Sequence, residues 1–125
     1  METVIAVATG GALGAVLRYW LYNFVHELLG KGFPYGTIAV NVLGSLAMGF
    51  LYVWLFDRYN LGPQWRAFLL VGLLGGFTTF SAFSIETVNL AEQGEYLKSL
   101  SNIGVSVVAC VGAAGLGVVI ATHVE

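Results

Sequence analysis

Charge is scarce in this sequence. Only 10% of its 125 residues are Asp, Glu, Lys or Arg, where a soluble domain carries about a quarter. That scarcity excludes an ordinary water-soluble domain. The five Lys and Arg residues form no cluster and the net charge is -2, so nucleic acid is not an expected partner. A single cysteine, Cys110, can form no intrachain disulfide and argues against a thiolate metal cluster. Catalytic signatures are missing too: there is no Ser/His/Asp set, no HExxH, no Walker loop and no GxGxxG after a strand. No enzymatic activity is expected. The start, Met1-Glu2-Thr3, lacks the positive n-region and small-residue cleavage site of a signal peptide, so the first apolar run reads as mature structure.

What is present is apolar. Hydrophobic residues make up 58% of the chain, in long continuous runs rather than the roughly ten-residue alternating segments of an outer-membrane barrel. A helical span needs about 20 apolar residues. The length therefore accommodates four spans, at about residues 3–26, 35–56, 65–91 and 96–123, as a single transmembrane domain with no room for a soluble one. The expected class is an all-α, multi-pass membrane protein embedded in the lipid bilayer.

The third span carries the most unusual stretch, Gly75-Gly76-Phe77-Thr78-Thr79-Phe80-Ser81-Ala82-Phe83-Ser84-Ile85-Glu86. Paired glycines, four hydroxyl side chains and a carboxylate do not suit a plain lipid-facing helix. Irregular backbone at membrane depth is tolerated only where protein or a water-filled path surrounds it, and a glycine-interrupted span points to an ion or substrate site. A break in the third helix is expected here. Phe80 and Phe83 are three apart, so on a helix they share one face beside the polar groups. Glu86 falls near the far interface, where it reads as an end-of-helix carboxylate or as part of a transport route.

In span one, Gly10 and Gly14 form a close-approach pair, as do Gly72 and Gly76 in span three. Arg18 lies about 22 Å along the helix from Thr3. It reads either as a side chain snorkelling to headgroups beside Tyr19, Trp20 and Tyr22 or as a cation at an anion vestibule. On span two, Thr37, Asn41 and Ser45 repeat every four residues and make one polar stripe. The stripe serves interhelical hydrogen bonding or lines a permeation route in which Asn41 offers N–H donors. A second stripe, Asn102, Ser106 and Cys110, runs along span four. His26 and His123, near span ends and without clustered partners, read as interfacial rather than as metal ligands.

Loop charges give almost no orientation signal. With four spans both termini lie on one side; Arg58 and Arg66 fall on that side, and Lys31 and Lys98 on the other, with Arg18 if it snorkels there. Orientation follows Lys/Arg imbalance. A balanced chain is expected to insert both ways and to pair with an inverted copy of itself.

Three motifs, Gly10 to Tyr19, Gly36 to Ser45 and Gly75 to Glu86, together resemble the Fluc (CrcB) family of fluoride channels. The resemblance covers spans one to three by motif, and span four by length and polarity. It implies an antiparallel, dual-topology homodimer in the inner membrane that needs no other protein partner. It also implies passive, selective export of fluoride and hence fluoride resistance. Carried over, the fluoride pathway falls on Asn41, Phe80, Phe83, Ser81, Thr37 and Ser106. Arg18, Glu86, Ser84 and Cys110 supply the vestibule and polar support. A sodium ion at the dimer interface is held by the backbone carbonyls of Gly75 and Thr78. The span-four track maps to Ser106, Cys110 and Ala114, where Ser or Thr would be the expected types at the last two; Ala82 similarly stands where Thr is common. The alternatives are a small multidrug-type proton-coupled exporter and a non-conducting structural subunit. The exporter relies on a carboxylate in the middle of span one, and none occurs between Glu2 and Glu27.

Overall fold

The computed structural model describes residues 1–55 and 61–124. Its elements, in chain order, are α1 (Glu2–Leu29), α2 (Tyr35–Val53), α3 (Pro63–Arg66), a π-helical segment (Ala67–Leu74), α4 (Gly75–Phe77), α5 (Phe80–Glu92) and α6 (Tyr96–His123). The described residues contain no strand. Elements α3 to α5 form one span, Pro63–Glu92, and all four spans are long and apolar enough to cross a bilayer. The expected end of span two at Phe56, and the loop charges Asp57 and Arg58, lie outside the described residues.

Local chemistry sets the boundaries. Pro63 opens α3 at its first turn, where the missing N–H has no helical partner to lose. Gly30 and Gly94 take φ of 82° and 80°, a left-handed conformation that costs glycine little. Helix α1 therefore passes the expected end at His26 and runs to Leu29, stopping where Gly30 turns and its N–H bonds His26 O at 2.9 Å. After α5, Gly94 and Glu95 return their N–H groups to Ala91 O and Leu90 O at 3.1 and 2.9 Å.

The bundle is inside-out relative to a soluble domain. Among the described residues, the buried polar side chains are His26, Thr37, Thr79, Ser99, Asn102 and Ser106, whereas Leu97, Val108 and Val111 are 79%, 73% and 69% exposed. Lipid tails are as apolar as leucine, so close packing and hydrogen bonds join the helices, not expulsion of apolar surface from water. Among the described residues, the buried apolar cluster is small: Leu55, Leu70 and Leu74.

Two seams hold the spans together. Helix α1 lies backbone-on-backbone against the third span: a Cβ at Gly14 would strike the Leu73 carbonyl and come within 2.9 Å of Phe77 N, and one at Gly76 would lie 2.6 Å from Gly11 O. The other seam joins α6 to α2 and α5. Gly117 there would place a Cβ 2.8 Å from Phe50 N, and hydrogen bonds link α6 to α5. Between the seams the third span breaks. Thr78 (φ -88°, ψ 156°) and Thr79 (φ -149°, ψ 111°) are extended, so α4 ends and α5 starts in the middle of the Pro63–Glu92 span.

Candidate functional site

Each side of the break is held by a specific contact. Asn41 of α2 grips the Thr79 backbone twice: its Nδ2 donates to Thr79 O at 3.0 Å, and Thr79 N–H donates to its Oδ1 at 2.8 Å. Thr79 Oγ1 accepts from Ala82 N–H at 3.2 Å and caps α5, the usual service of threonine at a helix start. Its hydroxyl also lies 3.3 Å from Ser81 Oγ. The Thr78 hydroxyl donates to Leu74 O at 3.0 Å, beside the Thr78 N–H on the same oxygen. Ser84 donates to Phe80 O at 2.9 Å.

Against the break lies a cavity of about 380 Å³, walled by α2, α5 and α6. Its lining brings together Asn41, Thr78, Phe80, Phe83, Ser106 and Cys110, with Thr79, Ser45 and Ala114. The Phe80 and Phe83 rings stand 5.3 Å apart at 50°. Ser81 and Ser84, although in the same motif, do not line this cavity; the Ser84 hydroxyl is turned back onto Phe80 O, and the Ser81 hydroxyl lies beside Thr79 Oγ1.

A second cavity, about 310 Å³, contains Arg18, Tyr22 and Thr37 and shares Thr79 with the first. Thr37 is buried and its hydroxyl donates to the Glu86 carboxylate. Glu86 borders a third cavity of about 310 Å³, together with Tyr22, Lys31 and Lys98. Arg18, Thr37 and Glu86 are thus set apart from the two phenylalanines. Tyr22 lies between the outer two cavities and Thr79 between the inner two. His26 does not face a metal cluster: its Nδ1 lies 2.9 Å from Gly30 O, and its Nε2 accepts from Gly36 N–H at 3.2 Å. Both ring nitrogens are thus occupied by backbone partners. Among the described residues, no group of three His, Cys, Asp or Glu side chains could hold a metal.

The stripe on α6 divides. Asn102, 1% exposed, donates to Thr87 Oγ1 at 2.9 Å and accepts from the Ser106 hydroxyl at 3.2 Å. Thr87 in turn donates to Phe83 O at 2.7 Å, and Ser99 donates to Thr87 O at 2.9 Å. This ladder fixes the turn of α5 that carries Phe83. Asn102 was visible in sequence as the first member of the stripe, but Thr87, its partner, has no periodic signal. Thr79 stood in the motif without indicating that it would both cap α5 and receive Asn41.

The fold and the cavity define a multi-pass helical membrane protein whose polar residues converge on a helix break inside a span. The chain belongs to the CrcB family: the model for that family, described as CrcB-like protein, Camphor Resistance (CrcB), matches residues 5–118. It is 47% identical over 119 residues to a protein of Methylococcus capsulatus named fluoride-specific ion channel FluC, covering 95% of this chain and 52% of that protein. Proteins of the same name from Coxiella burnetii and Geotalea daltonii are 47% and 41% identical, covering 95% and 100% of their own lengths. The chain thus spans about half of the Methylococcus protein and nearly all of the other two.

Proposed function

We propose that this protein is a passive, fluoride-selective channel of the bacterial inner membrane. It lets cytoplasmic fluoride leave the cell after entry as neutral HF, and it works as an antiparallel, dual-topology homodimer of this chain alone. The observation that carries the reading is the cavity in which Asn41, Phe80, Phe83 and Ser106 meet at the break, in a chain whose relatives are named fluoride channels.

Fluoride is small and tightly hydrated, so a dry pathway must replace its water. Asn41 has one amide N–H beyond the one given to Thr79 O. Phenylalanine ring edges carry the positive part of the quadrupole, so Phe80 and Phe83 meet an anion edge-on. The start of α5, with its positive dipole end, opens at the same level. Ser106 has one hydroxyl hydrogen, which serves Asn102 in the free site and turns to fluoride as it passes. Thr37, Glu86 and Arg18 lie on the outer approach, with Ser81, Ser84 and Cys110 as polar support.

The dimer reading is supported by the balance of loop charges. It is also supported by Phe80, which lines the cavity yet exposes 77% of its surface in the single subunit, and by exposed Gly75 at the break. A sodium ion fits there on chemical grounds. The break withdraws helical partners from the backbone carbonyls of Gly75 and Thr78, and carbonyl oxygens are hard ligands suited to hard cations. When bound, the ion supplies positive potential beside the anion path.

The test is fluoride efflux from liposomes containing only this protein, with chloride efflux as control and a potassium ionophore carrying countercharge. Rapid fluoride release without chloride release is expected. No release of either ion from folded dimers would refute the channel and point to a proton-coupled exporter or a structural subunit.

A further inference from the structure

Two N–H groups that a continuous third helix would keep for itself are redirected onto side chains at the break. In an α-helix the N–H of one residue bonds the carbonyl four positions earlier. Gly75 O would therefore receive Thr79 N–H, and Thr78 O would receive Ala82 N–H. Instead, Thr79 N–H goes to Asn41 Oδ1 at 2.8 Å and Ala82 N–H goes to Thr79 Oγ1 at 3.2 Å. The change begins abruptly, because Thr78 N–H still bonds Leu74 O at 3.0 Å. Asn41 Nδ2 secures the arrangement by holding Thr79 O at 3.0 Å.

The geometry points to Asn41 and Thr79 as positioning residues for the cation site: by capturing these two N–H groups they keep the Gly75 and Thr78 carbonyls free to bind a cation. The inference rests on the sodium reading given above and adds to it the side chains that prepare the ligands. A carbonyl re-engaged in a helix points along the helix axis at the next turn's N–H, and a cation must compete with that bond. Asn41 also lines the cavity of Phe80 and Phe83. The wall of the anion path and the preparation of the cation ligands are therefore one hydrogen-bonded unit, and a substitution at Asn41 acts on both.

The experiment follows thermal melting of the purified protein in detergent while sodium replaces N-methylglucamine at constant ionic strength. It reads the cation without any ion flux. Thr79→Ser keeps the oxygen that caps α5 and is expected to retain the wild-type sodium response. Thr79→Val and Asn41→Ala return an N–H to the helix. Each is expected to raise the sodium concentration for half-maximal stabilisation by about tenfold or more, the scale of one charge-assisted bond. A Thr79→Val protein with the wild-type sodium response would overturn the inference. If Asn41→Ala does not fold, the Thr79 pair decides alone. A wild-type protein that melts identically in both cations would remove the sodium reading, and this inference with it.

Discussion

Two contacts of the bundle, α1 with the third span and α5 with α6, solve the same problem with opposite chemistry. Between α1 and the third span the contact is backbone on backbone, made possible by glycine at Gly10, Gly14, Gly72 and Gly76. Between α5 and α6 the contact is a run of side-chain bonds through Ser99, Thr87, Asn102 and Ser106. The glycine seam gains dispersion from close approach and has no atom to spare, so it is rigid. The polar seam is built from hydroxyls, whose O–H can rotate between acceptors. Rigidity thus lies behind the break, and adaptability lies on the side where the cavity opens. The proposed anion path would use both: a fixed wall, and donors able to turn toward a passing ion.

That contrast can be broken most decisively at Gly14. Gly14→Val places branched atoms against the Leu73 carbonyl and the Phe77 amide, both backbone, so the helices must part. The expected cost is roughly 3 kcal/mol or more, seen as loss of a monodisperse species on size exclusion. Gly104→Ala, where an added Cβ meets nothing within 4 Å, is expected to change stability by only about 0.5 kcal/mol. Equal damage at the two sites would show that the glycine seam is not the rigid one.

Thr37→Val is the next largest. It leaves the Glu86 carboxylate without its buried donor, at a cost of about 1–3 kcal/mol. Glu86→Gln preserves an acceptor for the Thr37 hydroxyl, and its melting temperature should fall less. The reverse order would mean that the charge of Glu86, not its bond to Thr37, sustains the contact.

Asn102→Ala removes the donor to Thr87 and the acceptor of Ser106 at once. About 1 kcal/mol is expected, since interhelical bonds in membranes are individually weak. Ser106→Ala sharpens the comparison at the small end. Its melting should shift by only about 0.6 kcal/mol, while fluoride flux in liposomes falls clearly. A variant that melts lower with flux unchanged would assign Ser106 to packing alone.

Much of this architecture is legible in the sequence. Four long apolar runs determine four helices, because a backbone without water must bond within its own segment. The glycine pairs marked a close approach, because residues four apart share a face. The cluster of glycines and hydroxyls located the break, because a segment rich in competing side-chain bonds is a weak helix. These are local properties, and sequence carries them directly.

Partner choice across the bundle was settled only by the tertiary structure. Asn41 read as a donor on a polar stripe, yet its oxygen and one of its two N–H groups are engaged by the backbone of Thr79, 38 residues away. Thr37 lies on the same stripe but turns to Glu86, 49 residues away, in a different cavity. Thr87 gave no periodic sign of its place at the centre of the α5–α6 ladder. Spacing along a helix says which side chains share a face. Which neighbour that face meets depends on how spans distant in the chain pack, and here that packing is decided by where glycine lets backbones touch and where buried polar groups find partners.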